Sequence, residues 1–170
     1  MADSLSQSLD ASPRRVKVTR WVKVMLLHLA LGAVLFTVGF GTVHWKVLPG
    51  QPSVGLWHRQ LCISRARECH KQHHQDVNHY HRTIQAMETM ALVSFIASLV
   101  GLLVYISVQR FRTEKTLQMV TALTCGGVVL ATIGFVMFGW TNEYNVHGSS
   151  GHVGWSMGVA VTGAIFYAIG

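Results

Sequence analysis

The chain has 170 residues, half of them hydrophobic and only 12% charged, which makes it too short for two ordinary soluble domains and too apolar for one. Its formal net charge of +7 would suggest nucleic acid in a soluble protein. Here the basic residues flank apolar runs, where they set membrane topology instead, and no nucleic-acid partner is expected.

Four stretches free of Asp, Glu, Lys and Arg organise the chain: Val24 to Val43, Thr89 to Val108, Gln118 to Trp140 and Val153 to Gly170. Each has about the 18–20 residues needed to cross roughly 30 Å of hydrocarbon at about 1.5 Å per residue. Helices buried in a soluble protein would keep a polar face, which these lack. The sequence therefore predicts a membrane α-helical fold, a left-handed bundle of four transmembrane helices in a lipid bilayer. Arg14, Arg15, Lys17, Arg20 and Lys23 precede the first span, and Arg110, Arg112 and Lys115 lie between the second and third. These basic flanks place both termini in the cytoplasm. The first outer loop carries Lys46, Arg59, Arg65, Arg67, Lys71 and Arg82, so the margin is eight to six. A close cysteine pair in that loop, best explained as a disulfide in an oxidising compartment, points the same way.

Residues 1–23 read as a Ser-rich cytoplasmic tail that turns basic at the membrane surface. The first span, 24–43, offers Gly32, Gly39 and Gly41 for close helix approach, and its His28 can make one hydrogen bond near the cytoplasmic end. In the first outer loop, 44–88, the turn signals Pro49-Gly50 and Pro52-Ser53 separate Val43 to Leu48 from Val54 to Cys62, two segments suited to strands. A small extracellular β-sheet is expected. It is too small to be stable alone, and a bridge between Cys62 and Cys69 would add roughly 2–3 kcal/mol by the chain-entropy argument. Trp45 and Trp57 are suited to plug the gap between sheet and bilayer.

The run from His70 to Arg82 holds five of the ten histidines. On a helix His70, His73 and His74 would share a face, and on a strand His79 and His81 would lie on one side. Either grouping gives a weak metal site or a pH-sensing surface; a solvated loop is the plainer reading, and no metal is assigned. Glu88, at the outer edge of the second span, is expected to pair with Arg82 or a loop lysine. That span, 89–108, has Ala97 and Gly101, and Ser94 and Ser98, in small-xxx-small spacing. The cytoplasmic loop, 109–117, turns at Thr113-Glu114-Lys115 into the third span, 118–140, where Cys125 is expected as a small buried residue. The second outer loop, 141–152, leaves room for only a stub of strand. The fourth span, 153–170, has Gly154 and Gly158 in GxxxG spacing, then Gly163. The sequence has no phosphate-binding glycine loop, nucleophile elbow or pair of carboxylates within a span, so neither enzymatic activity nor a cofactor is expected.

Trp45, then Gly55-Leu56-Trp57, then Cys62 and Cys69, lying in the first outer loop of a four-span chain, resembles the signature of the claudin superfamily. That group includes the claudins, the peripheral myelin protein and epithelial membrane proteins, and the gamma subunits of voltage-gated calcium channels. Cys125-Gly126-Gly127-Val128-Val129 through Gly139-Trp140 is similar to a claudin third span, so the resemblance covers nearly the whole chain. Four residues separate Trp57 from Cys62 and six separate the cysteines, respectively wider and tighter than is usual in claudins. The resemblance implies one of two functions. One is cell–cell adhesion or a paracellular barrier at cell junctions, with copies of the chain or related tetraspan proteins as partners and a basic loop that favours anions. The other is an accessory, gamma-type subunit that packs on an ion channel or receptor through its small-residue faces and modulates it.

Overall fold

The structure, a computed structural model, describes residues 20–47, 53–63, 68–73, 79–140 and 152–170. In chain order these residues form helix α1 (Arg20–Gly41), strands β1 (Lys46–Val47), β2 (His58–Ile63) and β3 (Glu68–His73), helices α2 (His79–Ser107) and α3 (Glu114–Trp140), strand β4 (His152–Val153) and helix α4 (Trp155–Ile169). Helices α1, α2 and α3 are long and apolar enough to cross a membrane, and α4 is apolar but shorter. Within the most apolar window of these three helices only 22% to 28% of residues are buried inside the protein. Leu27, Val34, Val93, Val136 and Ile165 all face outward. A helix that is apolar all round but mostly uncovered by its own chain needs an apolar solvent.

The helices pack α1 on α2, α2 on α3, α3 on α4 and α4 on α1. The α1–α4 contact is made by small residues. A methyl group added at Gly32 would sit 2.7 Å from Tyr167 Cδ2, one at Gly39 would sit 2.6 Å from Ala160 Cβ, and one at Gly163 would sit 2.6 Å from Phe36 N, so the two backbones touch. Gly41 and Gly158 take no part in this, since each faces open space. Between α2 and α3 the contacts recur every seven residues along α3, where Gly134 meets Glu88, Gly127 meets Phe95 and, near the far end, Val120 meets Gly101. Four aromatic rings, one per helix, close the centre. Phe36 meets Phe95 edge-on at 5.0 Å and Phe135 at 6.2 Å, and Phe95 stacks on Tyr167 at 3.9 Å. The Tyr167 hydroxyl donates to the Phe95 carbonyl at 3.0 Å, which satisfies a polar group in the core.

Several elements begin elsewhere than the charge pattern suggests. Helix α2 starts at His79, ten residues before the apolar run, because hydrogen bonding continues through charged residues once a helix is established. At 29 residues it is about 44 Å long, some 14 Å more than the hydrocarbon requires. His79 and His81, read as part of a solvated loop, therefore lie in its first turn. His70 and His73, from the same stretch, lie in β3, where positions three apart do not share a face as they would on a helix; His74 is outside the described residues. The strands are shorter or later than Val43–Leu48 and Val54–Cys62. Cys125 is exposed on α3 with a free thiol rather than buried. At the opposite end from the strands, the Thr113 hydroxyl accepts from Thr116 N–H at 3.3 Å and so caps α3. Arg112 donates to the Ile106 carbonyl at 2.6 Å, at the end of α2. His28 bonds to the Val24 carbonyl of its own helix at 2.9 Å and lies 5.8 Å from the Phe166 ring of α4.

Candidate functional site

The loop-bearing end of the helices gathers four residues that the sequence singles out. Trp45 is completely buried. Its indole N–H donates to the Gly39 carbonyl at 2.7 Å, one of the acceptors left open at the end of α1, and its ring meets Phe135 at 5.8 Å and Phe138 at 5.1 Å. It thus seals the head of the core between α1 and α3, deeper than the position between sheet and bilayer that a belt tryptophan takes. Trp57 is half-buried and packs edge-on against Phe40 of α1 at 5.3 Å.

Between them the chain doubles back against itself. Trp45 N–H and Lys46 N–H both donate to the Val54 carbonyl, at 3.0 and 2.9 Å, and Val54 N–H returns a bond to Lys46 at 2.9 Å. Gly55 follows, and a Cβ there would sit 2.6 Å from Val43 Cα and 2.7 Å from the Thr42 carbonyl. Only glycine lets the two backbones come this close. On the other side of β1, β4 pairs antiparallel, Lys46 with Val153 and Val47 with His152, which is the short strand that the second loop has room for. Ser156 and His44 exchange two hydrogen bonds at 3.2 Å and Gly154 N–H donates to Trp45 at 2.8 Å, so the start of α4 is fixed to the end of α1. Gly154 lies against the His44 carbonyl and serves this junction rather than a helix–helix face. Lys46 is buried, which lowers its ammonium from the usual range.

Leu56 is the point where the loop meets α2. Its side chain is fully buried, and its carbonyl accepts from His81 Nε2–H at 2.9 Å and from Gln85 Nε2–H at 2.8 Å. His81, exposed to only 2%, therefore holds its proton on Nε2 and packs 6.2 Å from the Phe138 ring. Positions 81, 85 and 88 lie on one helix face, and one turn further along that face Glu88 is completely buried. Neither of its carboxyl oxygens has a hydrogen-bond partner among the described residues. The expected ion pair with Arg82 is not formed; the carboxyl instead fills the space left by Gly134 on α3, where an added Cβ would collide with Oε1. Sequence reasoning assigned His81, Gln85 and Glu88 to a loop and its margin and so missed their common face. The 81, 85, 88 spacing is the signal that extending the helix upstream would have made legible.

Beyond Leu56 the chain runs into a hairpin in which β2 and β3 pair antiparallel from His58 opposite His73 to Ile63 opposite Glu68. Cys62 and Cys69 occupy directly opposed positions of this ladder. Of the remaining residues singled out by sequence, Gly101 packs on Val120, Ala97 is half-buried on the same helix, and His79 is exposed. Among the described residues no three His, Cys, Asp or Glu side chains converge as a metal site would require. The arrangement is a dock: tryptophan and leucine anchors, backbone hydrogen bonds and two amphipathic donors on α2 hold the start of the hairpin at one end of an apolar helical body. No protein-family model and no curated protein matches the chain.

Proposed function

We propose that the chain is a claudin-like tetraspan protein of the plasma membrane, with its fourth helix also in the bilayer, both termini in the cytoplasm and the hairpin outside. In this reading it acts in cell–cell adhesion or as a paracellular barrier, meeting copies of itself or related proteins through the hairpin. The observation that carries the reading is the convergence of Trp45, Gly55, Leu56 and Trp57 on one dock. A free loop of this length would present many conformations to a partner; one tied to three helices presents few, and preorganisation lowers the ordering cost of contact. The opposed ladder positions of Cys62 and Cys69 support a disulfide across the hairpin, because facing residues in an antiparallel pair have Cα atoms about 4.5–5.5 Å apart, inside the range that a disulfide spans. The seven-residue spacing of the α3 positions that contact α2 supports left-handed packing of the bundle. The function asks for no catalytic group.

The test is expression in an epithelial monolayer that lacks its own claudins, with transepithelial conductance and dilution potential as readouts. The protein at the cell surface should change conductance and shift selectivity toward anions. Surface delivery with both readouts unmoved would overturn the barrier reading. An accessory role on an ion channel or receptor is favoured by one observation: Gly158 faces open space on the outer side of α4, where a partner helix can approach closely. Recovery of a channel or receptor at fixed stoichiometry in a mild-detergent pull-down, lost in Gly158→Leu, would establish that role instead.

A further inference from the structure

Away from the dock the helices leave a space between them. Toward the end opposite the strands a cavity of about 450 Å³ opens between α1, α3 and α4, walled by Met25, Leu29, Val120, Thr124, Val128 and Tyr167. Val129 and Ile169, exposed to 56% and 69%, stand on its rim, so it opens to the surroundings of the bundle. A smaller groove of about 240 Å³ continues it along α3 and α4, sharing Val128 and Ala168 and reaching Val136. From Val120 to Val136 the two follow α3 for about 24 Å, the shape of a chain rather than of a compact ligand. We propose that this cavity seats one acyl chain of an anionic phospholipid, whose headgroup is held at the basic end of the bundle.

The walls select a hydrocarbon. The hydroxyls that border the cavity are already engaged: Thr121 donates to the Leu117 carbonyl at 3.0 Å, Thr124 to the Val120 carbonyl at 2.9 Å and Tyr167 to the Phe95 carbonyl at 3.0 Å. Cys125, also at the cavity, adds only a weak thiol donor. A polar ligand finds little to bond here, and water does not fill so apolar a space. Bilayer hydrocarbon, in contrast, meets the rim directly, since α1 and α3 are long and apolar enough to cross a membrane. The charges select the headgroup. Met25 and Val120 line the same cavity, so the first turns of α1 and α3 lie at one end of it, about 8 Å away along each helix. Those turns carry Arg20, Lys23 and Lys115, and the short 3₁₀ turn Gln109–Phe111 carries Arg110, all of them exposed. Among the described residues Glu114 is the acid at this end. Cations gathered at a membrane surface draw anionic lipid from within a Debye length. Trp21, exposed one turn before Met25 on the same face of α1, adds an aromatic ring suited to the headgroup level. The inference rests on the bilayer setting of the helices and not on the adhesion reading.

Native mass spectrometry of the full chain, released by mild detergent from vesicles of equimolar phosphatidylserine and phosphatidylcholine, is the test. One phosphatidylserine should be retained per chain, in preference to phosphatidylcholine by about tenfold. Thr121→Trp and Cys125→Phe add bulk at the cavity from positions that are already exposed, and each should lose most of the bound lipid. Lys23→Gln combined with Lys115→Gln should keep a bound lipid but lose the preference for phosphatidylserine. Gly126→Leu, next to Cys125 but facing open space, should change neither. Elution volume on size exclusion separates a folded variant that has lost its lipid from a misfolded one. Equal retention of the two lipids by the native chain, full retention in folded Thr121→Trp and Cys125→Phe, a preference that survives the lysine substitutions, or a lipid-free dimer in which a second copy covers the cavity would each overturn the proposal.

Discussion

Replacing Gly134 by alanine tests the most unusual contact in the helical body. A methyl group there lands on Glu88 Oε1 and 2.8 Å from Glu88 Cδ, and the carboxyl has no room to retreat, since Glu88 is fully buried. Overpacking of this kind costs about 1–3 kcal/mol. Alanine also gains up to about 1 kcal/mol in helix propensity, so the bare change would be ambiguous. Gly126→Ala on the same helix supplies the control, because a Cβ at Gly126 meets nothing within 4 Å and only the propensity gain applies. The difference between the two variants therefore isolates the collision: about 1–3 kcal/mol, or roughly 2–12 °C between their melting temperatures at about 2–4 °C per kcal/mol. In a Glu88→Ala background the collision partner is gone and Gly134→Ala should match Gly126→Ala, giving a coupling of about 0.5–3 kcal/mol in the double-mutant cycle. Thermal unfolding in one detergent, followed by tryptophan fluorescence, measures all five proteins. Equal melting of Gly134→Ala and Gly126→Ala, or a penalty that survives the removal of Glu88, would refute the packing argument.

Other substitutions test the dock and the hairpin. Trp45→Ala removes the seal at the head of the core and the donor to Gly39, and should cost about 3–5 kcal/mol in the same melt; Trp45→Phe, which keeps the ring but loses the 2.7 Å bond, should cost less. Gln85→Leu or His81→Phe alone leaves the Leu56 carbonyl with one donor, whereas the double variant orphans it, so their costs should combine to more than their sum; cleavage of the first loop by a low protease concentration is a sensitive readout. Cys62→Ser with Cys69→Ser should lower stability by roughly 2–3 kcal/mol, the chain-entropy value for so short a loop, and thiol labelling of the denatured native chain should find Cys125 alone reactive before reduction. A wild-type chain with three reactive thiols would remove the disulfide from the reading.

The membrane character of the fold was legible in four uncharged runs, because a bilayer imposes a length and a composition on whatever crosses it. The helix boundaries were less so. Arg82 and Glu88 break the hydropathy pattern at the start of α2 without breaking its hydrogen bonds, and hydropathy therefore places the loop boundary ten residues late. That displacement concealed the dock, since His81 and Gln85 meet Leu56 only if the helix already exists at that height. Trp45 and Gly55-Leu56-Trp57 were recognisable as a motif, but their spacing does not say that the indole would reach back to Gly39 or that the glycine would face Thr42 and Val43. The pairing of Gly134 with Glu88 was invisible for a different reason: the two are far apart in sequence, and a glycine in an apolar run suggests helix contact without naming the side chain that fills the gap.

The excess length of α2 has a mechanical consequence. The extra length of about 14 Å is the polar stretch ahead of the apolar run, and it carries any change in the tilt of that run furthest at its first two turns. Those turns hold both donors to Leu56, while Trp45 is anchored to α1 and α3. The segment between these anchors is therefore strung between helices. A change in the tilt of α2 relative to α1 would pull on that segment and, through it, on the root of the hairpin.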